Sequence, residues 1–319
     1  MRVVAALGGN ALLRRGEKPD AAVQRRNVAH AADALARLAH EHKLVVTHGN
    51  GPQVGLLALQ AATFDPAGIT PLDVLGAESE GMIGYVIEQE LANRLPGRDI
   101  ATLLTQVEVD SRDPAFAAPS KPIGPTYGEA DAKQIAAARN WTVARDGPGF
   151  RRVVPSPLPR RILEIDTIRL LVQANVVVVC AGGGGIPVVV GEDGAVRGVE
   201  AVIDKDRSAA LLAASLGAEA LIILTDVAAV YHGWDTADRR AIRYATPGGL
   251  AALDFAPGSM GPKVEAACRF VRDTGAMAAI GALGDADALL RGETGTTIRA
   301  GGPDLELYPT ALASNGHLL

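Results

Sequence analysis

Val3-Val4-Ala5-Ala6-Leu7-Gly8-Gly9-Asn10 begins with an unbroken apolar run and stops at two glycines. So short a run, bounded by glycine, reads as a strand buried on both faces. Outward from it the pattern alternates. Val28, Ala31 and Ala32, Leu35, and Leu38 and Ala39 recur at helical spacing and predict an amphipathic helix over about residues 21–41. Leu44-Val45-Val46 is the next strand, followed by His48-Gly49-Asn50-Gly51-Pro52, where Pro52 suits the first turn of a helix because that turn needs no N–H. Residues 100–104, 176–179 and 221–224 are further strand candidates, and 208–216 and 264–272 read as helices. Strand–helix alternation from the first residue predicts the α/β class.

Two stretches interrupt that rhythm. The uncharged run 170–191 is long enough to raise the question of a membrane span, but Gln173, Asn175, four successive glycines and Pro187 would break a spanning helix. It reads as strand, loop, strand. Residues about 111–160 are rich in Pro and Gly and read as an excursion from the main sheet, a small subdomain or a lid, with Trp141, Phe150, Val153 and Val154 available to bury.

The 319 residues are 48% hydrophobic but only 4% aromatic, so the core must be built from aliphatic layers, as in a sheet covered by helices. Net charge is −5 and no basic block stands alone, so no electrostatic footprint for nucleic acid is apparent. Cys180 and Cys268 are the only cysteines, excluding a disulfide framework or a cysteine-rich zinc site, and their apolar surroundings predict buried, inert thiols. The N-terminus runs directly into a strand pattern without a basic segment and a cleavable apolar stretch, and a cytoplasmic enzyme is expected.

Glycine-rich turns or polar residues follow four strand candidates, where open parallel sheets place ligands: Gly8-Gly9-Asn10, Gly49-Asn50-Gly51, Gly182-Gly183-Gly184-Gly185 and Thr225-Asp226. Glycine lets backbone approach a ligand and aim N–H groups at an anion. One such turn is only a turn; several in one chain point to a ligand site.

The lysines sharpen this reading. Of 31 basic residues only six are lysine. Lys18, Lys43 and Lys133 read as solvated surface charge. Lys121 lies between Ser120 and Pro122, Lys205 between Asp204 and Asp206, and Lys263 after Met260-Gly261-Pro262, none of them a typical surface setting. A compact ammonium on a flexible stem suits a moving phosphoryl group. Asp204 reads equally well as a helix cap, and Asp206 as a carboxylate that holds ammonium groups in place. No G-x-x-x-x-G-K-[ST] occurs, so this is not a P-loop protein; residues 49–55 only approach a dinucleotide fingerprint, with one residue too many and a proline inside. His48 reads as structural, and no nucleophile–base arrangement stands out.

Taken in order, these motifs resemble the carbamate kinases of the amino acid kinase family. The matching segments are Ala6-Leu7-Gly8-Gly9-Asn10-Ala11-Leu12, residues 48–55, 121–125, 153–157, 182–188, 198–206, Leu224-Thr225-Asp226-Val227 and 255–263. The resemblance implies an open, mainly parallel β-sheet sandwiched between helices, with a protruding subdomain at about 115–160. It implies one such domain over 1–319, with carbamate held by 1–215 and nucleotide by 216–319. It implies ATP or ADP with Mg²⁺, carbamate or carbamoyl phosphate as the small-molecule substrate, a homodimer, no nucleic-acid or membrane partner, and a place in arginine metabolism.

The family's roles then fall on matching positions. Gly8, Gly9 and Asn10 would approach the transferring phosphoryl group, and Gly49, Asn50 and Gly51, with Gly182 and Gly183, would bind the carbamate side. Lys121 would reach in from the subdomain, Lys205 and Lys263 would neutralise the phosphates, and Asp206 would organise the lysines. Thr225, Asp226, Tyr231 and Met260 would lie near the nucleotide. Relatives often carry a bulkier residue at the place of Gly261 and glycine at that of Asp226. Two rivals stand beside this reading. Another acid kinase of the family, such as an acetylglutamate kinase, would share the architecture, but such relatives commonly carry lysine where Asn10 follows the glycine pair. A non-catalytic nucleotide sensor would have lost phosphate-binding lysines, and none is lost here.

Overall fold

The computed structural model describes residues 1–13, 17, 20–64, 70–236, 238–256 and 258–309. Lys18 and Pro257 therefore lie outside the described residues, as does the side chain of Asn10.

Strand Arg2–Leu7 is the centre of a ten-stranded sheet among the described residues. On one side it pairs in parallel with Lys43–His48, followed by Val177–Val179 and Ile100–Thr102; on the other it pairs in parallel with Ala220–Thr225, followed by Met277–Ala282. Beyond Met277–Ala282 the sheet turns antiparallel at Thr296–Ile298 and ends in Arg240–Ala245, Tyr231–His232 and Leu305–Leu307.

Alternation along the strands feeds two aliphatic layers. Val4, Ala6, Val45, Val178, Leu221 and Ile223 face one core, packed under helices Ile165–Gln173, Lys205–Leu216 and Met260–Thr274. Val3, Ala5, Leu7, Val46, Ile222 and Leu224 face the other, under helices Ala21–Glu41 and Leu72–Ala92. Helix Ala21–Glu41 shows why the sequence folds this way: Asp20 accepts from the Ala22 and Val23 N–H groups at 2.7 and 3.3 Å, and the buried stripe follows at three- and four-residue steps. The fold is α/β, a mainly parallel sheet between helices. Cys180 and Cys268 are buried, and burial pushes the Cys180 thiol well up and the Cys268 thiol to about 11. No helix among the described residues is long and apolar enough to cross a membrane.

Three details differ from the sequence expectation. The run from Leu170 begins inside helix Ile165–Gln173, not in a strand: Val172 lies one turn on from Ile168 on that helix's buried face, while Leu170 is 65% exposed. The strand expected to 104 ends at Thr102. The helix placed over 208–216 starts at Lys205, as the capping reading of Asp204 implies, and the one expected from 264 starts earlier, at Met260, so Lys205 and Lys263 both sit in first helical turns. Pro262 is tolerated there because a first turn has no use for its N–H.

The irregular region carries structure of its own. Strands Gln106–Val109 and Pro159–Ile162 pair antiparallel where the chain leaves and returns. Between them Lys121–Tyr127, Gly149–Val154 and Val143–Asp146 form a three-stranded sheet with helix Glu129–Arg139 on it. A small apolar cluster, including Val54, Leu72, Ile123 and Val154, joins this unit to the body.

Candidate functional site

In the parallel centre of the sheet Leu7 lies opposite both His48 and Leu224, and Val46 lies opposite Val179. The residues that follow these strands therefore emerge at one sheet edge: Gly8-Gly9, Gly49-Asn50-Gly51, the glycine turn Gly182–Gly184 with Gly185, and Thr225-Asp226. The turns touch one another. A Cβ on Gly49 would stand 3.1 Å from the Gly9 nitrogen, and one on Gly183, whose φ is +67°, would overlap the Asn50 side-chain amide.

Glycine here does not always mean a free donor. The N–H of Gly8 donates to the Leu224 carbonyl at 2.8 Å, that of Gly49 to Leu7 at 3.0 Å, and that of Gly182 to Glu80 Oε1 at 2.8 Å. These glycines serve close approach. The N–H groups of Gly9, Asn50, Gly51 and Gly183 have no partner among the described residues and are the donors an anion could take. A Cβ on Gly9 or Gly51 would meet nothing within 4 Å, so both border open space.

The lysines gather beside this cleft. Gly184 lies against the Ile203 backbone, one residue before Asp204. Asp204 Oδ1 accepts from the N–H groups of Asp206 at 3.0 Å and Arg207 at 3.3 Å, capping helix Lys205–Leu216, while Oδ2 is ion-paired with Lys121 from the protruding sheet. Asp204 is thus both a cap and a charge partner. Asp206, 3% exposed, accepts from Lys205 Nζ through Oδ1 at 2.6 Å and from Lys263 Nζ through Oδ2 at 3.0 Å. The helices bearing Lys205 and Lys263 are further tied by Arg207 to Glu265 at 2.9 Å.

Burial lowers the pKa of Lys205 and the nearby Lys263 adds to this, while Asp206 opposes it. Burial likewise opposes ionisation of Asp206, but the two ammonium groups outweigh it and hold the carboxyl well below the usual range. Asp204 is also lowered: burial works against its charge and Lys121 prevails. Three ammonium groups (Lys121, Lys205, Lys263) against two carboxylates (Asp204, Asp206) leave one positive charge, next to the N-terminus of helix Lys205–Leu216 with its partial positive potential. The arrangement can take up an anion.

The other sequence candidates are more dispersed. Thr225 Oγ1 bonds Asp226 Oδ1 at 3.1 Å at the end of the neighbouring strand, with the Thr225 Cα 3.7 Å from where a Gly8 Cβ would stand. Tyr231 starts the short strand Tyr231–His232, edge-on to Trp234 at 5.1 Å with Arg239 over its ring. Met260 opens its helix at the rim of the core. Asn10 follows Gly9 in the short helix Gly9–Leu12. His48 is fully buried, with Nδ1 3.2 Å from the Gly49 carbonyl; burial above all pushes its pKa down to about 4, so it is neutral.

Sequence reading missed Ser79, Glu80 and Thr105. Glu80 receives the Gly182 and Thr105 N–H groups at 2.8 and 3.3 Å. Burial pushes its carboxyl up to about 8, those bonds only partly offsetting it. The available signal was helical phase: Ser79 and Glu80 fall on the buried face of helix Leu72–Ala92 with Leu75, Ile83 and Ile87.

Residues 1–281 match the amino acid kinase family. The chain is 54% identical over 308 residues to the carbamate kinase of Rhizobium meliloti, covering 96% of this chain and 95% of that one. It is 53% identical over 299 residues to the carbamate kinase of Haemophilus influenzae, covering 93% and 96%. Among solved structures, carbamate kinase from Giardia lamblia bound to AMP-PNP superposes with a TM-score of 0.85 at 42% identity, covering 93% of this chain and 98% of the other. The extent of these matches agrees with the lysine group and the glycine edge: the chain belongs to the amino acid kinase family, on its carbamate kinase branch.

Proposed function

We propose that this chain catalyses ATP + carbamate = ADP + carbamoyl phosphate and works mainly to make ATP. The observation that carries the reading is the buried Lys205–Asp206–Lys263 group beside a cleft of free backbone N–H groups. Phosphoryl transfer has little covalent work for a protein to do; positioning and charge stabilisation supply the rate. Lys205 and Lys263 neutralise the moving phosphoryl group, Asp206 holds them apart and aligned, and Lys121 adds charge from the protruding unit. The donors of Gly9, Asn50, Gly51 and Gly183 grip carbamate and the transferring group, with Asn10 beside them. Carbamate is already an anion, so no general base is required. That suits a site whose histidine is neutral and whose aspartates are committed to lysines.

We assign carbamate to residues 1–215 and the nucleotide to 216–319, near Thr225, Asp226, Tyr231 and Met260. Among the described residues no three His, Cys, Asp or Glu side chains cluster to cage a metal. Mg²⁺ fits this chain as an ion carried by the nucleotide phosphates, where it supplies further charge neutralisation. We read the enzyme as a cytoplasmic homodimer. Val74, Met82 and Tyr85 share one exposed face of helix Leu72–Ala92, beside exposed Leu104, and an apolar patch of this kind marks a contact surface.

The deciding experiment is coupled ATP formation from carbamoyl phosphate, ADP and Mg²⁺, with acetylglutamate, aspartate and UMP tested as phosphoryl acceptors. Turnover of carbamoyl phosphate alone is expected. Turnover of one of the other three, with none from carbamoyl phosphate, overturns the substrate.

A further inference from the structure

Two adjacent side chains of helix Leu72–Ala92 reach two different turns of the cleft. Ser79 is fully buried; its Oγ accepts from Asn50 Nδ2 at 2.8 Å and donates to the Gly76 carbonyl at 2.8 Å. Glu80 is 1% exposed; its Oε1 accepts from the Gly182 N–H and its Oε2 from the Thr105 N–H. Asn50 and Gly182 flank the free donors of Gly51 and Gly183. One rigid helix therefore holds both sides of the proposed carbamate site.

A carboxyl is an expensive way to fill a core. No cation pairs with Glu80 among the described residues, and an apolar side chain would pack there without a desolvation cost. What the carboxyl supplies is two acceptors, 2.8 and 3.3 Å from backbone N–H groups that would otherwise be buried without partners. Ser79 does the same for an amide that already abuts Gly183. The distance between the two turns is thus fixed from behind, by groups that cannot touch the substrate.

We infer that Ser79 and Glu80 are positioning residues that set the gap between Asn50-Gly51 and Gly182-Gly183, and so the fit of a small planar anion bound across it. The inference rests on the carbamate reading of the cleft. A substrate held by four backbone donors has few atoms to grip, so a shift of a few tenths of an ångström in either turn weakens every contact together.

The experiment compares Ser79→Ala, Glu80→Ala and Glu80→Gln with the wild type in ATP formation. Both alanine variants should raise KM for carbamoyl phosphate roughly tenfold, the effect of losing a buried hydrogen bond, while KM for ADP stays within about twofold. Glu80→Gln keeps an acceptor for the Gly182 N–H and should recover most of the loss. Hydrogen exchange without ligands should be faster at residues 180–186 in Glu80→Ala and unchanged in strand Ala220–Thr225. An unmoved KM for carbamoyl phosphate in both alanine variants, or equal rises in both KM values, overturns the inference and leaves the enzyme's identity intact. If the wild type makes no ATP, the substrate reading fails instead, and unchanged exchange at 180–186 then overturns the positioning role by itself. If Glu80→Ala does not fold, Ser79→Ala carries the KM comparison and Glu80→Gln the exchange comparison.

Discussion

The two sides of the site are built on opposite principles. On one, Lys121, Lys205 and Lys263 present charge, and two aspartates hold that charge in place through ion pairs. On the other, the turns after the first two strands and at Gly182–Gly185 present only backbone donors, held by neighbouring strands and by a helix behind them. Charge acts over distance and tolerates small displacements; an array of N–H groups works only at the right spacing. Damage to the lysine side should therefore fall on the chemical step, and damage to the glycine side on substrate affinity.

The largest effect is expected at Lys205. On the proposed mechanism Lys205 and Lys263 are preorganised charges that act on the transition state, and their removal should lower kcat by roughly two orders of magnitude or more in Lys205→Ala, and similarly in Lys263→Ala. Lys205→Arg should also be poor, because Lys205 is 9% exposed with its ammonium 2.6 Å from Asp206, and a planar guanidinium does not reproduce that compact point charge. A Lys205→Ala enzyme with near-normal kcat would remove the charge side from the comparison.

Gly183→Ala tests the other side. The added Cβ would overlap the Asn50 amide at a backbone φ of +67°, so the two turns must part. KM for carbamoyl phosphate should rise about tenfold or more, with a smaller change in kcat, since the spacing of donors sets affinity. A fall in kcat at unchanged KM would show that this turn acts on the phosphoryl group and not on the carbamate end.

The same contrast explains what could be read in advance. The strand at Val3–Leu7 and the helix over 21–41 were legible because local apolar periodicity and tertiary burial agree. The lysine positions were legible because arginine supplies most of the basic residues, so a lysine among prolines or aspartates stands out. The helix start at Met260 was set too late, since glycine and proline in a first turn resemble loop, whereas the capping pattern of Asp204 did mark the start at Lys205. Ser79 and Glu80 gave no composition signal: Ala77-Glu78-Ser79-Glu80 reads as an ordinary solvated helix face. Only the helix's docking against the sheet buries half of it. The assignment of free and spent N–H groups among the glycines depends on which strand lies alongside, which is a property of topology.

A smaller effect is expected where the protruding unit meets the body. Asp204→Asn keeps an oxygen for the helix cap but loses the charge that holds Lys121. If residues about 115–160 act as a lid, unliganded Asp204→Asn should exchange amide hydrogen several-fold faster across that segment than the wild type, with helix Lys205–Leu216 unchanged. In the wild type, exchange there should slow when nucleotide and substrate are bound. Equal protection with and without ligands would sink the lid, leaving the charge of Lys121 in place.

The smallest effect concerns pH and separates the two sides by their electrostatics. Burial raises the Glu80 carboxyl from 4.5 to about 8, with the charge of Glu164 adding to the rise. A Gly182 Cβ would meet both neutral His48 and the Glu80 side chain, the Cys180 thiol feels the Glu80 charge, and no cation pairs with Glu80 among the described residues. Between those two values the folded protein holds a proton that the unfolded chain has released. Stability from this group therefore falls as pH rises: the penalty is absent below about 4.5 and complete above about 8. Gln at position 80 does not titrate. The melting temperature of Glu80→Gln, relative to wild type, should thus climb by on the order of a few degrees from pH 5 to pH 8 and level off above. The lysine side gives the opposite sign, since Asp206 is held ionised: its contribution is full above the ordinary carboxylate range and is lost progressively as pH falls through and below that range. A flat difference between Glu80→Gln and wild type across pH 5 to 9 would mean that Glu80 is ionised in the folded protein, and that backbone N–H groups alone suffice to hold a buried charge beside the substrate.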